Sequence, residues 1–186
     1  PGHPETKAAE LPDGRLISHS RPHDRSSPYR NAAVSEDGGI TWTKLEVHKD
    51  LKTIVCNGDV ITVPHPKGKN GVVVLACCPV GGAPGKNKNS RQCGAVYVSL
   101  DEGKTFPNKK QLVKGYFGYS SLEVLKDESI GLFYESIAGA RNISIKKFDL
   151  EWLLHEVEPQ FSSLSQPVTS ENVQTHEVLI HGTGQV

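Results

Sequence analysis

The sequence predicts an all-β fold, a β-propeller built from antiparallel blades, and three observations carry that expectation. Short runs rich in β-branched and aromatic residues recur along the chain with a period of two. Clusters of Gly, Asp and Pro separate them as turns. One eight-residue turn occurs twice: SEDGGITW at Ser35 is matched by SLDEGKTF at Ser99, with Ser, Asp, Gly, Thr and an aromatic at the same offsets, 64 residues apart. Each copy follows a strand-like run, AAV before the first and AVYV before the second, so both occupy the same place in a repeating unit.

The elements follow in order. Strands are expected at Arg15–Ser20, Arg30–Ser35, Lys44–Val47, Val60–Val63, Val72–Cys77, Ala95–Ser99, Ser120–Leu125, Ile130–Glu135 and Ile143–Phe148. Turns are expected at Pro12-Asp13-Gly14, Asp37-Gly38-Gly39, Gly81 to Gly85, Asp101-Glu102-Gly103 and Lys126-Asp127-Glu128. A helical pattern is confined to Leu150–Glu156. Residues 1–156 read as one domain, and 157–186, rich in Ser, Gln, Thr and Pro, as a tail or linker with at most one short strand at Glu177–His181.

Composition narrows the function. Lys plus Arg and Asp plus Glu are each 21 in 186 residues, so no overall field favours nucleic acid or an anionic membrane, and charge recognition must be local. No apolar run is long enough for a transmembrane helix. The opening PGHPET has neither a charged n-region nor an apolar h-region, so this stretch is not itself a signal peptide. Cys56, Cys77, Cys78 and Cys93 form no CxxC pair, and the eight histidines, among them His3, His19, His23 and His65, show no HExxH; no metal is expected. Cys77 or Cys78 bridged to Cys93, or buried free thiols, both satisfy the spacing, and Asn142-Ile143-Ser144 is a glycosylation sequon.

In the repeated turn the Asp side chain accepts turn N–H groups, Gly takes positive φ and the aromatic packs back on the sheet. These residues build a turn and perform no chemistry. Three other segments carry groups suited to it. ETKAAELPDGRLISHSR, Glu5 to Arg21, places a glutamate five residues before Glu10-Leu11 and an arginine sixteen residues after the first glutamate. NSRQCGAVYVSLDEGKTF puts Arg91 at the start of the strand running into the second box. GYSSLEVLKDESIGLFYE leads from Tyr119 through two strands to Glu135, sixteen residues on, and a Glu closing an apolar run calls for a partner. Arg25, Arg30 and Arg141 fit less well, since none stands at that position of a blade.

Asp-boxes on β blades together with these three segments resemble the sialidase (neuraminidase) superfamily, in which the boxes lie on the outer turns of a six-bladed propeller. The resemblance covers about residues 3–154 and implies the C-terminal half of the catalytic domain, roughly three of six blades. It implies Tyr119 as nucleophile, Glu5 as its general base, Arg21 and Arg91 as two of the three arginines that hold the substrate carboxylate, and Glu135 as the residue orienting the first of those arginines. The second box departs in ending in Phe106 in place of Trp, which still supplies an aromatic.

The chemistry accounts for the residue types. A sialic acid bears a carboxylate on its anomeric carbon, and planar guanidinium forks match carboxylates. A carboxylate nucleophile would be repelled by that group; a neutral tyrosine is not, and sialidases are the recognised exception to the two-carboxylate rule. Tyrosine ionises near pH 10 and needs a base, which Glu5 supplies, while the arginines are expected to favour the phenolate. The implied function is an exo-α-sialidase, a retaining glycoside hydrolase without cofactor. The alternatives are a trans-sialidase with the same site and a non-catalytic Asp-box propeller that binds glycans. The implied partners are a sialylated glycoconjugate and a second polypeptide segment supplying the N-terminal blades, the acid/base Asp and the first Arg; Asp13, Asp24 and Asp37 are poor substitutes for that acid, because two of them sit in turns. Secreted, extracellular or lysosomal placement is expected.

Overall fold

The computed structural model describes residues 5–22, 27–65, 71–80, 90–138, 142–155 and 180–181. These form three four-stranded antiparallel sheets. The first contains β1 (Thr6–Glu10), β2 (Leu16–Ser20), β3 (Tyr29–Ser35) and β4 (Glu46–Lys52) in that spatial order. The second contains β5 (Asp59–Pro64), β6 (Gly71–Cys77), β7 (Ala95–Ser99) and β8 (Asn108–Gln111). The third contains β9 (Ser120–Val124), β10 (Ile130–Glu135), β11 (Asn142–Phe148) and β12 (Ile180–His181). Each sheet is a simple meander, and β1, β5 and β9 neighbour one another in sequence from sheet to sheet. This is the arrangement of consecutive propeller blades, half of a six-bladed ring.

The middle blade shows why its sequence is so apolar. β6, GVVVLAC, is buried at every position. Val72, Val74 and Ala76 pack toward the third blade with Leu122, Ile130 and Leu132, whereas Val73, Leu75 and Cys77 pack toward the first with Leu11, Ile17 and Leu51. A strand covered on both faces reads as a continuous hydrophobic run, and one covered on a single face alternates. β3 alternates in this way over its second half, with Ala33 and Ser35 inside, and buries Arg30 of the opposite parity beside the register shift at Tyr29–Asn31.

Three edges differ from the sequence reading. Glu46–Lys52 replaces the expected Lys44–Val47; only Leu51 of this charged outer strand is buried, and its pairing with β3 shifts register between Tyr29 and Asn31. β1 (TKAAE), with Thr6 its one β-branched residue, and β8 (NKKQ), with none, are strands because β2 and β7 offer them a ladder. The helix α1 spans Leu150–Leu154, capped by Asp149, which accepts from Trp152 N at 2.5 Å. The Gly81–Gly85 turn, Asp24, Arg25, Arg141, Glu156 and most of the tail lie outside the described residues. All four cysteines are free and buried, so the bridge to Cys93 is not formed.

Both repeated turns fold identically. Ser35 Oγ donates to Asp37 Oδ1 and accepts from Gly39 N, while Asp37 accepts from Thr41 N and Thr41 Oγ1. Ser99, Asp101, Gly103 and Thr105 repeat every one of these bonds. Gly39 and Gly103 take φ of +92° and +80°, which a side chain rarely adopts. The boxes differ in their aromatics: Phe106 is 3% exposed, wedged against His19 and His48 of the first blade, and Trp42 is 40% exposed.

Candidate active site

The antiparallel meander sends the boxes to one end of the blades and the chemically interesting residues to the other. Glu5 immediately precedes β1, Arg21 follows β2, Arg91 lies ahead of β7, Tyr119 precedes β9 and Glu135 ends β10. All five residues therefore meet at one mouth, contributed by three different blades. Asp13 and Asp37 stay with the turns at the opposite end, where Asp13 pairs with Arg15.

The Tyr119 hydroxyl donates to Glu5 Oε1 at 2.5 Å. Arg21 Nη1 donates to the same Oε1 at 2.6 Å and to the Tyr119 oxygen at 3.2 Å. The Arg91 guanidinium stacks 4.9 Å from the Tyr119 ring centroid and stands 3.9 Å from Glu135 Oε2. That separation is an ion pair without a hydrogen bond. Glu135 Oε2 instead accepts from Tyr119 N at 3.1 Å. Two arginines thus flank a tyrosine whose phenol already rests on a carboxylate, and each of the four charged side chains is only partly exposed.

The electrostatics assign protons. Burial pushes the Glu5 carboxyl up, but the hydrogen bonds from Arg21 and Tyr119, with the Arg21 and Arg91 charges, outweigh it and hold Glu5 below its ordinary 4.5. The Tyr119 phenol is raised, first by its hydrogen bond to Glu5 and then by burial, with Arg21 opposing. This direction differs from the expected phenolate: a proton shared with an adjacent carboxylate is hard to remove. The resting state is a neutral tyrosine donating to an anionic glutamate, a geometry fit for proton transfer while the phenol oxygen attacks.

The chain entering Tyr119 is held at every backbone polar atom from Phe117 N to Ser120 N. Phe117 N donates to Arg91 O, Gly118 N to Glu135 O, and Glu135 N returns to Tyr119 O. Ser120 N donates to Asn57 Oδ1 at 3.0 Å, and Asp59 Oδ2 accepts from Leu122 N and Ser121 Oγ. The Phe117 and Gly118 carbonyls accept from the thiols of Cys78 and Cys56. Gly118 is required by contact: a Cβ there would lie 2.1 Å from Glu135 Oε2. Arg30, 1% exposed, lies under this floor and donates to Cys56 O at 3.4 Å.

Sequence reasoning missed Cys56, Asn57, Asp59, Cys78 and Gly118. Asn57-Gly58-Asp59 is not among the expected turns, and only its short polar run between Cys56 and Val60 inside apolar sequence marks it. The described residues contain no group of three or more His, Cys, Asp or Glu arranged to hold a metal.

Comparison with known proteins places the chain in a family. No protein-family model matches the chain. A sialidase of Micromonospora viridifaciens is 34% identical over 154 residues, covering 82% of this chain and 22% of the relative. One from Bacteroides fragilis is 32% identical over 136 residues, covering 71% and 24%. The chain thus spans about a fifth to a quarter of the length of these relatives. Among solved structures, the Hadza microbial sialidase Hz136 superposes with TM-score 0.59 at 27% identity, over 80% of this chain and 28% of the other. A leech intramolecular trans-sialidase superposes with TM-score 0.63 at 19% identity, over 81% and 24%, which shows the shared fold. With related sequence across most of its length and the blade architecture in common, the chain belongs to the sialidase superfamily.

Proposed function

We propose that the protein of which these residues form part is an exo-α-sialidase that removes terminal sialic acid with retention, through a tyrosyl intermediate. The observation that supports this reading most is the Tyr119 hydroxyl 2.5 Å from Glu5 Oε1, flanked by Arg21 and Arg91. Arg21 and Arg91 bind the substrate carboxylate. Tyr119 oxygen attacks the anomeric carbon as its proton passes to Glu5, and the glycosidic bond breaks as the leaving oxygen takes a proton from an acid. Water then attacks the same carbon from the vacated side, giving its proton to that acid's conjugate base, while the phenol oxygen leaves and recovers its proton from Glu5. The acid and a third carboxylate-binding arginine come from a segment carrying the preceding blades.

The test is turnover of a fluorogenic α-sialoside by the intact protein, followed by trapping with a fluorinated sialic acid. The label is expected on Tyr119, and Tyr119→Phe is expected to lose it together with at least ~10³-fold in kcat. Turnover unchanged by that substitution overturns the assignment. Adding a lactose acceptor separates hydrolysis from transfer: free sialic acid as the sole product supports the hydrolase, and a sialylated acceptor supports a trans-sialidase with the same residues.

A further inference from the structure

Behind Tyr119 lies a pair of thiols that the reaction above does not use. Cys56, 1% exposed, sits in the segment joining β4 to β5, and Cys78, fully buried, follows β6. The two segments are bonded: Thr53 bridges Pro79, and Ile54 N donates to Cys78 O at 3.0 Å. A tight turn, Cys56 N to Ile54 O at 2.7 Å, brings Cys56 back over Cys78. Cys78 Sγ donates to Phe117 O at 2.9 Å and Cys56 Sγ to Gly118 O at 3.5 Å. The carbonyls they reach belong to consecutive residues, so the two thiols lie side by side, each with its single S–H proton on a carbonyl.

We propose that Cys56 and Cys78 form an oxidisable pair that positions Tyr119: as thiols they hold the Phe117 and Gly118 carbonyls, and joined as a disulfide they release both. The inference rests on the reading of Tyr119 as nucleophile. Phe117 and Gly118 lead directly into Tyr119, and among the described residues their carbonyls accept only from these thiols, so loss of both S–H donors frees one side of the turn.

The chemistry is that of a dithiol with a hydroperoxide. Cys56 sulfur attacks a peroxide oxygen: the S–O bond forms, the O–O bond breaks, and the departing alkoxide takes the Cys56 proton. Cys78 sulfur then displaces hydroxide from that sulfenic acid: the S–S bond forms, the S–O bond breaks, and the Cys78 proton leaves with hydroxide as water. Two thiols are oxidised and one hydroperoxide is reduced to alcohol and water. The roles follow from the surroundings. The neighbouring Cys78 thiol lowers the Cys56 thiol, the Arg91 and Arg21 charges lower it further, and burial opposes them, while Cys78 is raised by its neighbour Cys56 and by burial. Cys56 is thus the attacking sulfur and Cys78 the resolving one.

The experiment treats the intact protein with hydrogen peroxide and maps its peptides without reduction. Expected are a Cys56–Cys78 cross-link, a loss of about ten- to a hundredfold in kcat for the fluorogenic sialoside that tracks the cross-linked fraction, and recovery with dithiothreitol. Cys56→Ser keeps a hydroxyl donor, lacks the attacking sulfur and is expected to hold its own untreated rate under peroxide, while Cys78→Ser is expected to stop at a Cys56 sulfenic acid with no cross-link. Absence of the cross-link, a cross-link with kcat unchanged, or equal peroxide loss in Cys56→Ser overturns the proposal. If a Ser variant does not fold, the proportionality of cross-link and activity in the parent protein decides. If the reduced protein turns over no sialoside, the proposed function fails, and the thiol pair is still tested by the phenolic titration of Tyr119, identified by difference from Tyr119→Phe. A shift on cross-linking supports the pair, and no shift overturns it.

Discussion

Gly118 has no side chain because Glu135 occupies the place where one would go. A Cβ would meet Glu135 Oε2 at 2.1 Å and its Cβ at 2.8 Å, so Gly118→Ala must expel the carboxylate that holds Tyr119 N and faces Arg91. We expect a fall of about a hundredfold in kcat, since displacements near 1 Å at a reacting group cost that much, with secondary structure intact by circular dichroism. Glu5 gives a second expectation. As the proposed base it must be ionised, and its ordinary 4.5 is lowered in this site, so the acid limb of kcat/KM for sialoside turnover is expected below pH 4.5; a limb at or above that value contradicts Glu5 as base. Much of this was legible. Glu5, Arg21, Arg91, Tyr119 and Glu135 stand at offsets that matched a known pattern, because catalytic types at fixed spacing leave a linear trace. Cys56, Asn57, Asp59 and Cys78 left none: they act through backbone groups some 39 to 63 residues away, and nothing in a short polar turn says which strand it will meet.

The repeated turn was the most legible element, since its bonds are all local and the same four residue types satisfy them twice. Its energetic weight was not legible, because that depends on what the aromatic touches. Phe106 is enclosed by His19 and His48 at centroid distances of 5.6 and 5.2 Å, and its N–H donates to Asp50 Oδ2. Trp42 lies partly in solvent, with Nε1 donating to Gly39 O within its own turn. Phe106→Ala should therefore cost about 3–5 kcal/mol and Trp42→Ala clearly less, measured by urea unfolding of both variants. Equal costs would mean that Phe106 does not wedge the blades. β1, β4 and β8 were hard to read because ladders offered by neighbours, more than their own propensities, make them strands.

Across the whole molecule, the seam between the first two blades contains a group that resists protonation. His19 is 1% exposed, neither ring nitrogen has a hydrogen-bond partner among the described residues, and it faces Arg30, His48 and Phe106. Burial first, then the Arg30 and His48 charges, push it from 6.5 to about 3. A base whose folded value is depressed binds its proton mainly when unfolded, so its contribution is complete above pH 6.5 and is lost as pH falls toward 3. The slope is about 1.4 kcal/mol per pH unit, measurable as the pH dependence of the urea midpoint, and His19→Phe should flatten it. An unchanged slope would show that acid sensitivity arises elsewhere. The active site has its own relation to the blades. Glu5 comes from the first, Arg91 from the second and Tyr119 from the third, and no single blade holds a working fragment. The proposed sialoside turnover would therefore be a gauge of assembly: on warming it is expected to vanish when the blades part, while each meander still keeps its own ladder.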